Sequence, residues 1–79
     1  MIPLYGFLAG DTLGLLILAD EADTVARLAE RLQAAASVRV RRRAQVAVSA
    51  HGRVLDAAMS LREAGLTALD RFDVTEVER

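Results

Sequence analysis

The chain has 79 residues, which is enough for one domain, and we expect a single domain over residues 1–79. Its apolar fraction of 53% exceeds what a core of this size requires, which indicates that some apolar surface is kept for a partner. A formal net charge of −1 points to neither a nucleic acid nor a membrane surface. The absence of cysteine excludes disulfides and thiol chemistry and fits a cytoplasmic location, and the absence of lysine excludes side-chain amine chemistry.

The N-terminal region predicts a β-hairpin. Residues 2–8 and 13–19 are two apolar runs, and the sequence between them is a turn in which Gly10 can adopt a positive φ. The whole region is apolar enough to be compared with a signal peptide or a membrane helix. No basic segment precedes it, and Asp11 interrupts a run that is already short, so we expect neither of these.

Residues 24–36 predict the main helix. Acidic residues precede it, where the N-terminal end of a helix dipole favours negative charge, and Asp23 or Thr24 is the expected N-cap. Apolar side chains then recur at helical spacing and form one stripe: Val25, Leu28, Ala29, Leu32 and Ala36. We expect this stripe to pack on one face of a sheet. The core should be completed by Val46, Val48, Phe72 and Val74.

The second half of the chain predicts three further strands. Residues 45–50 alternate between apolar and polar, and His51-Gly52 is a two-residue turn that leads into a short strand over residues 53–55. The segment from Ser60 to Glu63 has the spacing of a capping box and predicts a short helical turn. A last strand follows over residues 71–77.

This order of elements predicts an α+β fold, in which one helix crosses one mixed sheet of about five strands. The first and last strands would pair in the middle of that sheet. The order resembles the ubiquitin-like β-grasp fold, and three local sequences carry the resemblance. They are the helix start at Asp23-Thr24-Val25, the hairpin at residues 50–56 and the turn at residues 59–66.

A narrower resemblance is to the small gamma (B) subunit of bacterial toluene and aromatic multicomponent monooxygenases. It rests on the first strand at Ile2-Pro3-Leu4, on Arg39-Val40 after the helix, on the methionine-initiated turn at 59–66, and on Phe72-Asp73-Val74. The loop at 41–44 departs from that family, because it lacks the proline and glycine often found there. The resemblance implies a non-catalytic subunit that packs on a larger protein subunit, the diiron hydroxylase alpha subunit, and holds no iron itself.

Two alternatives stay open. The same order and the turn from Ser60 to Leu66 also resemble the ubiquitin-like small protein of bacterial type VII secretion. The other alternative is a free-standing ubiquitin-like adaptor that binds its own partners. Ubiquitin and the sulfur-carrier proteins end in Gly-Gly, whereas this chain ends in Val77-Glu78-Arg79, so we expect no covalent conjugation.

We expect no catalytic residue, no cofactor and no metal site. His51 is the only histidine and its neighbours offer no further ligand, so a turn residue facing solvent is the better interpretation. The serine hydroxyls lack the base and orienting group that nucleophilic catalysis requires. The acidic residues at 20–23 lack the glycine and the distal glutamate of an EF-hand loop, and a helix N-terminus explains them.

The basic connection over residues 37–44 has two interpretations. Cations suit the C-terminal end of a helix, so the connection could be a solvated loop. It could equally be a docking patch for carboxylates of a partner, since guanidinium groups pair with them bidentately. Nucleic acid is a weaker match, because the few aromatic residues do not interleave with the arginines. We predict that four arginines bind a partner protein: Arg39, Arg41, Arg42 and Arg43. We expect replacement of the last three by serine to leave the thermal midpoint of the free domain nearly unchanged.

Overall fold

The computed structural model describes residues 1–77. This part of the chain contains, in order, the strands β1 (Ile2–Leu8) and β2 (Gly14–Ala19), the helix α1 (Val25–Ala35), and the strands β3 (Val46–Ala50), β4 (Arg53–Val54) and β5 (Arg71–Glu76). The strands form one mixed sheet in the order β2-β1-β5-β3-β4, and β1 and β5 pair in parallel at its centre. The predicted architecture is confirmed, and each predicted boundary lies within one residue of the observed one.

The helix α1 packs its predicted apolar stripe on one face of the sheet. Thr24 is the N-cap, because its Oγ1 accepts a hydrogen bond from the Arg27 N–H at 3.1 Å. All five stripe residues are buried, together with Val48, Phe72 and Val74 from the sheet. Val46 is only partly buried, which corrects the predicted core. Its strand is not covered by β4 at that end, so the side chain lies at the margin of the sheet.

Gly6 lets the centre of this core close. The residue lies on the inner face of β1, and a Cβ atom at Gly6 would meet Phe72 Cζ at 2.6 Å and Leu32 Cδ1 at 2.9 Å. Phe72 itself is fully buried. A side chain at this position would therefore push the helix away from the sheet.

The connection between β4 and β5 is held against the start of the helix. The Val25 N–H donates to the Met59 carbonyl at 2.8 Å, and the Leu61 N–H donates to the Asp23 carbonyl at 2.9 Å. The capping box forms as predicted, because Ser60 and Glu63 exchange hydrogen bonds of 3.0 and 3.1 Å between side chain and backbone. The segment is a hydrogen-bonded turn rather than a regular helix.

Candidate protein-docking site

The basic segment, residues 39–43, leaves the C-terminal end of α1 and returns the chain towards β3. Backbone N–H groups of Arg39 and Val40 donate to the Ala36 carbonyl at 2.9 and 3.0 Å, which ends the helix. Val40 is buried and anchors the middle of the turn in the core. The arginines on either side of this anchor are consequently held close to the protein surface, and the structure divides them into two kinds.

Arg39 pairs with Asp11 in the β1–β2 turn. Its Nε lies 3.0 Å from Asp11 Oδ1 and its Nη2 lies 2.9 Å from Oδ2, which is a bidentate geometry. The Asp11 side chain is only 2% exposed, and the Arg39 guanidinium holds the pKa of this carboxyl below its ordinary value. Arg39 therefore joins the N-terminal hairpin to the basic segment, and it is already engaged within the chain.

Arg43 is also engaged within the chain. Its Nη1 donates to the Ala9 carbonyl at 2.7 Å, and its Nε lies 3.5 Å from Glu76 Oε1 on β5. Its backbone N–H donates to the buried Gln33 side chain at 2.7 Å, and Gln33 Nε2 donates back to the Arg43 carbonyl at 3.2 Å. These contacts correct the expectation for Arg43: replacing this arginine should lower the stability of the domain.

Arg41 and Arg42 remain available to a partner. Arg42 pairs with Glu30 on α1, but these side chains are 54% and 56% exposed, so the pair adds little to stability. The Arg41 side chain is exposed and has no hydrogen-bond or ion-pair partner among residues 1–77. Docking through the four predicted arginines stays a prediction, and these two are free to take part in it.

Beside the basic segment, a groove of about 660 Å³ runs between α1 and β3. Its buried lining is mostly apolar, with Val25, Ala29, Val48 and Leu55, and includes the polar Gln33. Glu30, Arg42 and Arg43 line the same groove and give it a charged margin. Sequence reasoning missed this groove, because the residues that line it come from separate parts of the chain.

A second apolar surface covers part of the sheet face that points away from α1. Tyr5 and Leu16 are cross-strand neighbours there, and both are exposed, as is Leu18 beside Pro3. Phe7 continues the surface, with the Arg71 guanidinium carbon 4.1 Å from its ring centroid. The composition predicted surplus apolar surface but did not place it. A usable signal was that β2 has apolar residues on both of its faces.

His51, Thr67 and Asp70 make structural contacts with one another. His51 lies in the predicted turn at a φ of 54°, and its Nε2 is 3.0 Å from Asp70 Oδ2. The Thr67 N–H donates to the same carboxyl at 2.9 Å and, with His51, lowers the pKa of Asp70. No cluster of three or more metal-ligating side chains is present in the part of the chain that the structure describes. Within that part, α1 is too short and too polar to span a membrane.

The family model described as toluene-4-monooxygenase system protein B (TmoB) matches residues 1–75 of the chain. The chain belongs to the TmoB family. It is therefore an accessory component of a toluene monooxygenase system, and the narrower resemblance is confirmed. Membership decides against the type VII secretion alternative. No curated protein matches the chain.

Solved structures agree with the fold of this TmoB-family chain. A chain of the toluene 4-monooxygenase HD complex with the inhibitor 4-bromobenzoate superposes with a TM-score of 0.88 at 24% identity, covering 96% of this chain and 98% of that one. The ubiquitin of Caldiarchaeum subterraneum follows with a TM-score of 0.79 at 16% identity, covering 99% and 95%. A ubiquitin-like domain of an Arabidopsis thaliana protein gives 0.74 at 17%, covering 92% and 73%. These likenesses confirm the ubiquitin-like β-grasp fold.

Proposed function

We propose that the chain is a non-catalytic subunit that docks on the hydroxylase of a diiron aromatic monooxygenase in the cytoplasm. It would do so as one folded domain over residues 1–79, without covalent conjugation and without nucleic acid. The observation that carries the proposal is the TmoB family match over residues 1–75. The likeness to a chain of the toluene 4-monooxygenase HD complex, which extends over nearly the full length of both chains, supports it further.

The non-catalytic part of the proposal is supported by the partners of the polar side chains. Ser60 and Glu63 are bonded to each other as a cap, and His51 faces Asp70 at the surface of a turn. Asp11, the carboxyl least exposed among the ion pairs, is held by a guanidinium. These groups stabilise turns and connections, which is a structural use. The diiron site would then lie in the larger subunit.

Docking through the basic segment is the second part of the proposal. Arg41 and Arg42 would meet carboxylates of the hydroxylase, and Arg42 would exchange its exposed contact with Glu30 for one in the interface. Such pairs contribute about 0.2–1 kcal/mol each while exposed and more when the interface desolvates them. Arg39 and Arg43 would support the segment from within, since their guanidinium groups are already bonded.

Co-expression with a tagged hydroxylase large subunit of a toluene-type monooxygenase tests this function. We expect the chain to co-purify, and we expect the hydroxylase to lose turnover when the chain is omitted. The double variant Arg41→Ser/Arg42→Ser should bind more weakly, with a flatter dependence on salt. The control double variant Arg27→Ser/Arg62→Ser removes the same charge from exposed positions elsewhere. Failure of the parent chain to co-purify would overturn the proposed function.

A further inference from the structure

The edge of β3 is only half covered. The β3–β4 pairing joins Ser49 to Val54 and Ala50 to Arg53, and beyond it the Leu55 N–H donates to the Val48 carbonyl at 2.8 Å. Among residues 1–77, no strand pairs with Val46 or Ala47 on that side of the sheet. Half of an interior strand is thus left as an open edge.

The direction of the backbone groups follows from the pairing on the other side. The Val77 N–H donates to the Gln45 carbonyl at 3.0 Å, so residue 45 directs its hydrogen-bonding groups towards β5. These groups alternate along an antiparallel pair, so the N–H and C=O of Val46 point away from β5. The N–H and C=O of Val46 therefore face the groove, which Val46 and Ala47 help to line.

The groove beside this edge combines three features that recognise an extended peptide. The open edge offers backbone hydrogen bonds, and the buried floor of Val25, Ala29 and Leu55 offers an apolar seat. The basic segment stands at one margin, where the exposed Arg42 lines the groove, and Arg41, which is unpaired within the described chain, directly precedes it. Arg41 has no ion-pair partner and Arg42 has only its exposed contact with Glu30 to exchange, so an acidic ligand is complementary in charge.

We propose that an extended segment of the hydroxylase subunit binds in this groove and adds a short strand to the open edge of β3. The segment would place one apolar side chain on the floor and one carboxylate beside Arg42. Main-chain pairing gives such contacts affinity, and the side-chain seats give them specificity. This inference rests on the proposed function and identifies where the larger subunit is held. The apolar face of β1 and β2 also ends at an open edge, that of β2, but the arginine that contacts it, Arg71, is held in a bidentate pair with Asp73.

A matched pair of tryptophan variants tests the inference on the co-expressed complex. Ala26 is an exposed helix residue that lines the groove, and Ala34 is an exposed residue of the same helix outside it. We expect Ala26→Trp to fill the groove and weaken binding of the hydroxylase by at least about tenfold, the scale of an interface anchor. Ala34→Trp should bind like the parent. Thermal midpoints of both free variants establish that each is folded.

Amide hydrogen exchange gives an independent measurement without any substitution. In the complex, the Val46 and Val48 amides should exchange more slowly than in the free chain, because a strand added to the edge protects them. The inference is overturned if Ala26→Trp binds like Ala34→Trp, or if the new protection falls on β1 and β2 instead. A parent chain that does not bind the hydroxylase at all contradicts the proposed function itself, so the two failures are distinguishable.

Discussion

The ion pair between Asp11 and Arg39 joins the β1–β2 turn to the basic segment. Because the folded pKa of Asp11 is lowered, chiefly by the hydrogen bond from Arg39, its ionised form stabilises the fold. This contribution is fully present above the ordinary aspartate pKa of about 3.9 and is lost as the pH falls through the lowered value. We expect Asp11→Asn to reduce the free energy of unfolding at neutral pH, and to differ progressively less from the parent towards pH 3. Urea unfolding across this range measures the difference.

Glu21→Gln is the matched control for this charge change. The Glu21 side chain has no hydrogen-bond or ion-pair partner among residues 1–77. Its substitution should therefore leave the free energy of unfolding almost unchanged between neutral and acidic pH. Equal effects of the two substitutions would mean that overall charge, rather than the pair with Arg39, accounts for the loss.

The arginines of the basic segment should differ sharply when each is replaced alone. Arg43→Ser removes a hydrogen bond to the Ala9 carbonyl and a contact with Glu76, so it should cost on the order of 1 kcal/mol. Arg41→Ser removes a solvated side chain and should leave the thermal midpoint nearly unchanged. Thermal unfolding followed by circular dichroism compares the two. A common shift would contradict the division of the segment into structural and available residues.

At the level of single residues, the sequence identified the candidate docking arginines but not the groups that they contact within the chain. The four arginines are visible as a cluster, and their charge suggests carboxylates. Asp11 lies 28 residues from Arg39, and Ala9 lies 34 residues from Arg43, so no local pattern contains either contact. The path of α1, which leads the chain from the end of β2 back to the β1–β2 turn, brings these groups together. Which arginine is free was therefore not predictable from spacing.

Among the elements, α1 depends most directly on its buried stripe. Leu28 is 1% exposed, and Leu28→Ala should lower the free energy of unfolding by about 2–5 kcal/mol, the range for truncating a buried leucine. Leu16→Ala is the matched control, because the Leu16 side chain is 55% exposed on the outer face of β2. Its cost should be well below that of Leu28→Ala in chemical denaturation. Similar costs would contradict the orientation of both elements.

The elements themselves were largely predictable, because each depends on nearby residues. Helical spacing identified α1, and turn chemistry at His51-Gly52 and from Ser60 to Glu63 placed the boundaries that follow. Burial at the sheet margin was not predictable in this way. Val46 has the same alternation as Val48, yet it lies beside the open edge and is less buried. Strand order, which decides this difference, is set by contacts between distant segments.

On the scale of the whole molecule, the two candidate contact surfaces lie towards opposite edges of the sheet. The groove lies beside β3, whereas the outer apolar face lies on β1 and β2. The groove opens beside α1 and the outer apolar face points away from α1, so a single flat partner surface cannot cover both. We therefore expect substitutions on the outer face to leave binding through the groove unchanged. Leu18→Ser should not reproduce the effect of Ala26→Trp on hydroxylase binding. Parallel binding measurements on both variants check this separation.

The position of β2 has a consequence for how the cell must make this protein. The strand is the outermost of the sheet on its side, and its sequence Gly-Leu-Leu-Ile-Leu-Ala contains no charge and no proline. Natural edge strands commonly carry such residues to prevent aggregation, so copies made in excess of their partner should join edge to edge. Co-expression with the larger subunit would keep the concentration of the unbound chain low. Leu16→Lys should raise the concentration at which the free chain stays monomeric in light scattering, and an unchanged concentration would contradict this view of its supply.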